Sequence, residues 1–502
     1  MISSRLCRAR VAGAAIAGLI LAAAVPSFAY GSPRVLRGHD DQGQPMVLRV
    51  SADHRHVVVG LMFLLRCDGE EESEPYSDAQ SVDRVTTGPV RVAPSGRFRI
   101  RERRRWRFRD LHGHLTLSVE GSIRRGRRAS GTFTAVRRWS TEDYGDGPTR
   151  ERCQSGPRRW ATPDGPVADG PWRPAAPVPL RGHHAGAGAL ADGRVLIAGG
   201  TGALDGPPTR GALLYDPRRD RWRDLPAMHS SRTAPLVVGL AEGRGLVVSS
   251  DDPERAVTLR SAEVYDPRRD RWHQTPPLPL PVSEPLGVRL GDGRVAVIEP
   301  GEPVQVYDAV HDRWALGPPA PASDAAAVTL LPSGDVLLDA QRSSTSNGAE
   351  SFAARWHVGD ATWTAAPASG IAGGTRLGAA LPGGGLVIVG HPYESTRLST
   401  AVYDAASGAW RRFADVDLGI QPWNVSGLAS GAALLAGSRG AYRLDVATGT
   451  WSLAGTFASV HADGPTLTPV PGGALLAGGG ADRWIDAERY VDPPGSRAAG
   501  SP

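Results

Sequence analysis

The chain has 502 residues, 41% of them hydrophobic, with Gly 62, Pro 42 and a formal net charge of +5. That length holds two or three domains, and the Gly and Pro content favours short strands between turns over long helices. All 57 basic residues are Arg, and Asn occurs only at Asn347 and Asn424, so the charge follows a compositional bias and does not by itself point to nucleic acid.

In chain order, residues 1–29 read as a signal peptide. Arg5, Arg8 and Arg10 precede the apolar run "VAGAAIAGLILAAAV", and Ser27 and Ala29 occupy the small-residue cleavage positions. Cys7 precedes the apolar run and so is not an acylation cysteine. A secreted or periplasmic mature chain is expected, with no membrane span. Cys67 and Cys153 are then its only thiols, and outside the cytoplasm such a pair is expected as a disulfide.

Residues 30–160 are expected to form a small β-sandwich or barrel domain. "PMVLRVSADHRHVVVGLMFLLRC" and "LTLSVEGSIRRGRRASGTFTAVRRW" alternate as strands joined by turns. The disulfide would join two edges of this domain. In "RFRIRERRRWRFRD", period-two spacing sets Arg99, Arg101, Arg103, Arg105, Arg107 and Arg109 on one face, and Phe98, Ile100, Trp106 and Phe108 on the other. The domain carries about +8 and the rest of the mature chain about −6. The ladder is either a solvated outer face or a docking surface for an anionic partner. Nucleic acid is not expected, because the aromatics point away from the arginines.

After a linker at 161–171, residues 172–492 are periodic. "YDPRRDRW" ends at Trp222 and again at Trp272, followed by "YDAVHDRW" (Trp314), "WHVGDATW" (Trp363), "YDAASGAW" (Trp410) and "LDVATGTW" (Trp451). Before each lies a pair of apolar strands around a tight turn, near Asp192, Glu242, Asp292, Ser333, Gly383, Ser430 and Gly472. The unit of roughly 41–50 residues is that of a four-stranded propeller blade. Within "YDPRRDRW", Asp216 suits a turn that bonds the amides two residues on, and Asp220 suits a left-handed exit. Trp172 precedes the first turn and no matching Trp follows Tyr490, so the strand at Trp172 is expected to complete the last blade. The tail 493–502 is expected to be disordered.

The pattern of hairpin, Gly-Gly, Tyr-Asp and Trp six residues after the Asp resembles the kelch repeat and covers about two-thirds of the chain. The resemblance implies an all-β fold, a seven-bladed propeller, with ligands held by loops at the channel mouth. The segments leading into the inner strands offer His183, His184, His229, Arg232, Glu284, Asp324, Arg376, Trp423, Asn424 and His461 as candidates for a ligand rim. "HHAGAGALADGRVLIAGG" is similar to the copper-binding Tyr-His stretch of galactose oxidase, with His183 in the Tyr place and His184 in the His place. That family also needs a Cys joined to its radical Tyr, and no Cys occurs between 154 and 502. Its C-terminal β-domain has no counterpart in these residues either. The sialidase Asp-box is not met, because "DVATGTW" places three residues between Asp445 and Gly449. No Gly-rich phosphate loop, HExxH or GxSxG occurs.

The expected function is noncatalytic recognition of a protein or glycan through the propeller mouth, without cofactor or metal and with a monomeric state allowed. The alternative is a carbohydrate-active enzyme or oxidase of galactose-oxidase-like architecture.

Overall fold

The computed structural model describes residues 34–41, 45–51, 53–68, 80–108, 111–124, 128–141, 150–162, 171–176, 178, 184–201, 208–248, 260–283, 285–321, 324–344, 348–391, 397–437, 440–455, 457, 465–478 and 487–493. The signal-peptide segment, Cys7, Arg109, His183, Glu284, His461 and the tail from 494 lie outside the described residues. No helix among the described residues is long and apolar enough to cross a membrane.

The N-terminal region is one antiparallel sheet of ten strands. They are β1 (Arg34–Asp40), β2 (Pro45–Val50), β3 (His56–Asp68), β4 (Gln80–Thr86), β5 (Val90–Arg91), β6 (Arg97–Phe108), β7 (Leu111–Arg124), β8 (Arg128–Thr141), β9 (Arg150–Gln154) and β10 (Arg158–Ala161). Because β10 pairs with both β1 and β8, the path β10-β1-β2-β3-β9-β8 returns on itself. The alternation read from the sequence sets its faces. Leu48, Leu61, Phe63, Leu117, Val119, Phe133 and Trp160 turn inward and form one core. Phe98 and Ile100 join it from β6, while Arg99, Arg101, Arg103 and Arg105 are exposed. The side chain of Arg107 lies outside the described residues. Cys153 lies within β9 and is paired in register with Cys67 of β3. The two cysteines thus stand on neighbouring hydrogen-bonded strands and not on two edges of the domain.

From Trp172 to Val491 the chain forms seven antiparallel sheets of four strands, the fifth of which gains an extra short strand, Val416–Asp417. The innermost strands are Gly186–Ala189, Leu236–Gly239, Leu286–Arg289, Asp324–Leu330, Thr375–Ala380, Pro422–Gly427 and Thr466–Val470. Each neighbours the next, and the last neighbours the first, so the sheets close into a seven-bladed β-propeller. Packing near the axis demands small residues. A Cβ on Gly188 would come within 2.5 Å of the Val237 carbonyl oxygen, and one on Gly427 within 2.1 Å of that of Ala380. The strand Trp172–Pro174 pairs with the strand Ala487–Val491, Trp172 opposite Tyr490, and completes the seventh blade. The ring is clasped by the two ends of the repeat region, and the clasp strand covers the outer edge of Ala487–Val491.

The repeated octapeptide is the corner of a blade. Tyr215 lies directly opposite Trp222 across the outer hairpin, and their rings meet at 4.7 Å. Asp216 Oδ1 accepts from the amides of Arg218 (2.9 Å) and Arg219 (3.3 Å). Asp220 takes φ 48°, and its carboxylate accepts the Tyr215 hydroxyl at 2.6 Å. Asp270 and Asp312 repeat that geometry, and Gly408 and Gly449 fill the same left-handed place, where a glycine has no Cβ to clash. The indole N–H of Trp222 donates to the Ala176 carbonyl at 2.6 Å, that of Trp272 to Pro226 at 2.7 Å and that of Trp410 to Pro367 at 2.7 Å. Each partner precedes its Trp by roughly one repeat unit, so the motif staples neighbouring blades. In the fourth blade Trp356 takes the Tyr place and meets Trp363 at 6.0 Å.

Candidate functional site

In a four-stranded meander the connection between blades emerges at the same end as the loop between the second and third strands. The rim candidates from the sequence belong to that end. The structure separates them into three groups.

Arg232 and Arg376 are internal. Arg232 is fully buried, and its guanidinium pairs with the equally buried Glu263 of the second blade's third strand, Ala262–Asp266, at 3.0 Å. It also donates to the Ser261 carbonyl at 3.0 Å. Glu263 collects further donors from the linker: the amides of His229 (2.8 Å) and Ser230 (3.0 Å) and the His229 ring (2.8 Å). Burial pushes its carboxyl up, but the His229 and Ser230 donors and Arg232 outweigh that and hold it below the usual range. Arg376 pairs with buried Asp339, which also accepts from the Ser369 amide at 3.3 Å. Fewer donors reach Asp339, so burial dominates there and raises its carboxyl despite Arg376. In the third blade the uncharged Gln305 plays the same part. It accepts from the Leu280 amide (2.9 Å) and donates to the Leu280 carbonyl (3.2 Å).

These three side chains fasten linker backbone to the next blade. Glu263 and Gln305 share one slot, two residues before the motif Tyr, where the first and fifth blades carry Leu213 and Ala401 and the seventh carries buried Glu488. Sequence reasoning passed over both, although a polar residue inside the apolar runs "AEVYD" and "PVQVYD" was the available signal.

His184 and His229 form a second group and are exposed. His184 holds a left-handed φ of 52°. Among the described residues, no group of three or more His, Cys, Asp or Glu side chains is arranged to hold a metal.

Trp423 stands apart. The register of the sixth blade's inner strand shifts between Pro422 and Asn424, so Trp423 is the extra residue of a bulge, a feature that re-aims a side chain. Its ring is only partly buried and stacks on Phe457, with centroids 6.1 Å apart and an interplanar angle of 20°. Phe457 in turn meets the clasp residue Trp172 edge-on at 5.0 Å. Asn424 is half-buried beside it. Asp324 opens the fourth inner strand, and its side chain lies outside the described residues.

No family model matches the chain, and no curated protein matches it. Among solved structures it is similar to a "Novel fungal alcohol oxidase with catalytic diversity among the AA5 family, in complex with copper", at 13% identity and a TM-score of 0.47, over 64% of this chain and 76% of that one. It is also similar to "YCF48 bound to D1 peptide", at 14% identity and a TM-score of 0.44, over 65% of this chain and 99% of that one.

Proposed function

We propose that the chain is an exported, noncatalytic recognition protein, a kelch-type propeller whose linker-side face meets a protein or glycan. The observation that supports this most is how the charged groups beside the linkers are employed. Glu263 holds two linker amides and Asp339 one, each together with a buried guanidinium, and carboxylates so engaged serve as anchors. They are withheld from acid, base or ligand duty. What the same end offers outward is Trp423, an aromatic face of the kind that stacks on sugars or anchors a protein contact. Supporting the reading is a rigid frame with one re-aimed aromatic on the sixth inner strand, and with exposed His184 and His229 ahead of the first and second. Export is part of the same reading, and so is a Cys67–Cys153 disulfide, for which the cross-strand register is the support.

The purified mature protein, run against a glycan array and used in pull-downs from cell-surface extracts, is expected to show saturable binding. Trp423→Ala is expected to weaken it about tenfold or more, in line with loss of a central aromatic anchor. Silence in both assays together with turnover of a sugar or polyol would overturn the reading. Thiol titration of the unfolded, unreduced mature protein is expected to find no free thiol, and two free thiols would remove the disulfide from it.

A further inference from the structure

Arginine occurs throughout the chain, but its surroundings differ between regions. In the propeller several turn arginines sit on carboxylates: Arg194 on Asp192 at 2.6 Å, Arg219 on Asp216 at 2.7 Å, Arg269 on Asp266 at 2.8 Å and Arg294 on Asp292 at 2.7 Å. On the outer face of the N-terminal sheet the arginines are instead set beside one another. Register sets Arg105 of β6 opposite His114 of β7, His114 opposite Arg138 of β8, and Arg138 opposite Arg152 of β9, with Asp68 of β3 in register with Arg152 on the other side and ending the row. One transverse row of basic side chains therefore crosses four strands, meeting the lengthwise row Arg101–Arg103–Arg105 at a corner.

Neighbouring strands lie about 4.8 Å apart and alternate residues about 6.8 Å apart, so the two rows cover roughly 14 Å in each direction. Arg99 has a carboxylate partner, Glu120, at 2.8 Å. Among the described residues no carboxylate pairs with Arg101, Arg105 or Arg138. The Nη2 of Arg103 contacts the ring Nε2 of His114 at 3.2 Å, and Arg152 donates to Gln154 at 3.3 Å. Desolvation first, and then Arg103, Arg138 and Arg105, hold the His114 ring below its usual pKa.

Like charges directly opposite one another across a sheet are destabilising. Arginines on β6 alone would be explained by its place at the end of the sheet, where charge discourages pairing with another chain. That explanation does not reach Arg138 and Arg152, which sit on strands paired along both edges.

We propose that this face binds a linear acidic polysaccharide, its carboxylates meeting the row Arg105–His114–Arg138–Arg152. Beside these rows the face carries hydroxyls, Thr116, Ser118, Thr132 and Thr134, suited to sugar hydroxyls, together with Glu120, Val136 and Gln154. Phe98 and Ile100 are buried beneath it, so among the described residues the face presents neither a large apolar wedge for a bilayer nor a Phe, Tyr or Trp ring for stacking nucleobases. The inference is independent of the propeller-face reading.

The test uses the full mature chain on immobilised polygalacturonate, with neutral dextran, phosphatidylglycerol vesicles and single-stranded DNA as the other arms. Binding to polygalacturonate is expected at low salt, falling about tenfold or more on raising NaCl through the range where exposed charges are screened. The double variant Arg105→Glu/Arg138→Glu is expected to lose about a hundredfold, Arg105→Gln/Arg138→Gln about tenfold, and Arg105→Lys/Arg138→Lys less than about threefold, as for removal, neutralisation or retention of complementary charge. Thermal melts that match wild type show that the variants fold, and the Gln pair decides the matter if the Glu pair does not. No binding to polygalacturonate at low salt, unchanged binding by the Gln and Glu pairs, or tighter binding to vesicles or DNA through the same residues would each overturn the assignment.

Discussion

Asp308 shows how a single side chain fixes a blade corner. It accepts from the amides of Val310 (3.0 Å) and His311 (3.2 Å) and from the His311 ring (2.6 Å). The His311 side chain first, then those amides, hold its carboxyl at about 2. Asp216 and Asp266 are lowered in the same way, their side-chain donors being Arg219 and Arg269. A carboxyl lowered in the folded state stabilises the fold above its unfolded pKa and loses that contribution as pH falls through the folded value. The melting temperature should therefore hold down to about pH 4 and decline toward pH 2. Asp308→Asn should flatten that decline in an acid titration of the melt; an unchanged slope would contradict the role given to Asp308. This corner was legible in the sequence because every contact in it is local: Asp216 reaches two and three residues on, and Tyr215 reaches five.

At the scale of elements, the blades are joined by two kinds of staple, and only one could be read in advance. The Trp indole recurs at a fixed place, so its periodicity announced it. The pairs Glu263–Arg232 and Asp339–Arg376 span 31 and 37 residues, and their acids stand on different strands of their blades, so no period marks them. Arg232 and Arg376 looked like rim residues because they sit in the segments leading to the axis. Their burial is decided by acids on other strands. Removing one partner of a buried ion pair leaves the other charge uncompensated, at a cost of about 3–5 kcal/mol. Glu263→Ala is expected to destabilise the propeller by that amount in denaturant unfolding, and Glu263→Leu with Arg232→Met to recover most of it. A Glu263→Ala protein as stable as wild type would contradict the anchoring role. The N-terminal sheet follows the same rule: alternation gave the faces of β6, but the pairing that adds Arg138 and Arg152 to its outer face is non-local.

For the whole molecule, seven turns and seven tryptophans implied the ring, and the unpaired Trp172 implied where it closes. What the sequence could not show was which side chains meet once the ring is formed, because those meetings cross blades. The ring determines which segments share an end, and hence that Trp423 lies at the linker end proposed as the recognition face. Its most direct test is a cross-link at the clasp. Arg173 lies directly opposite Arg489, and facing residues of antiparallel strands have Cα atoms about 4.5–5.5 Å apart, within disulfide reach. In Arg173→Cys/Arg489→Cys, mild oxidation should give a 173–489 disulfide within a single chain, identified by peptide mass spectrometry, whereas Arg173→Cys/Arg411→Cys should give none. Free thiols at 173 and 489, or cross-links only between chains, would contradict the closed ring and with it the placement of the recognition face.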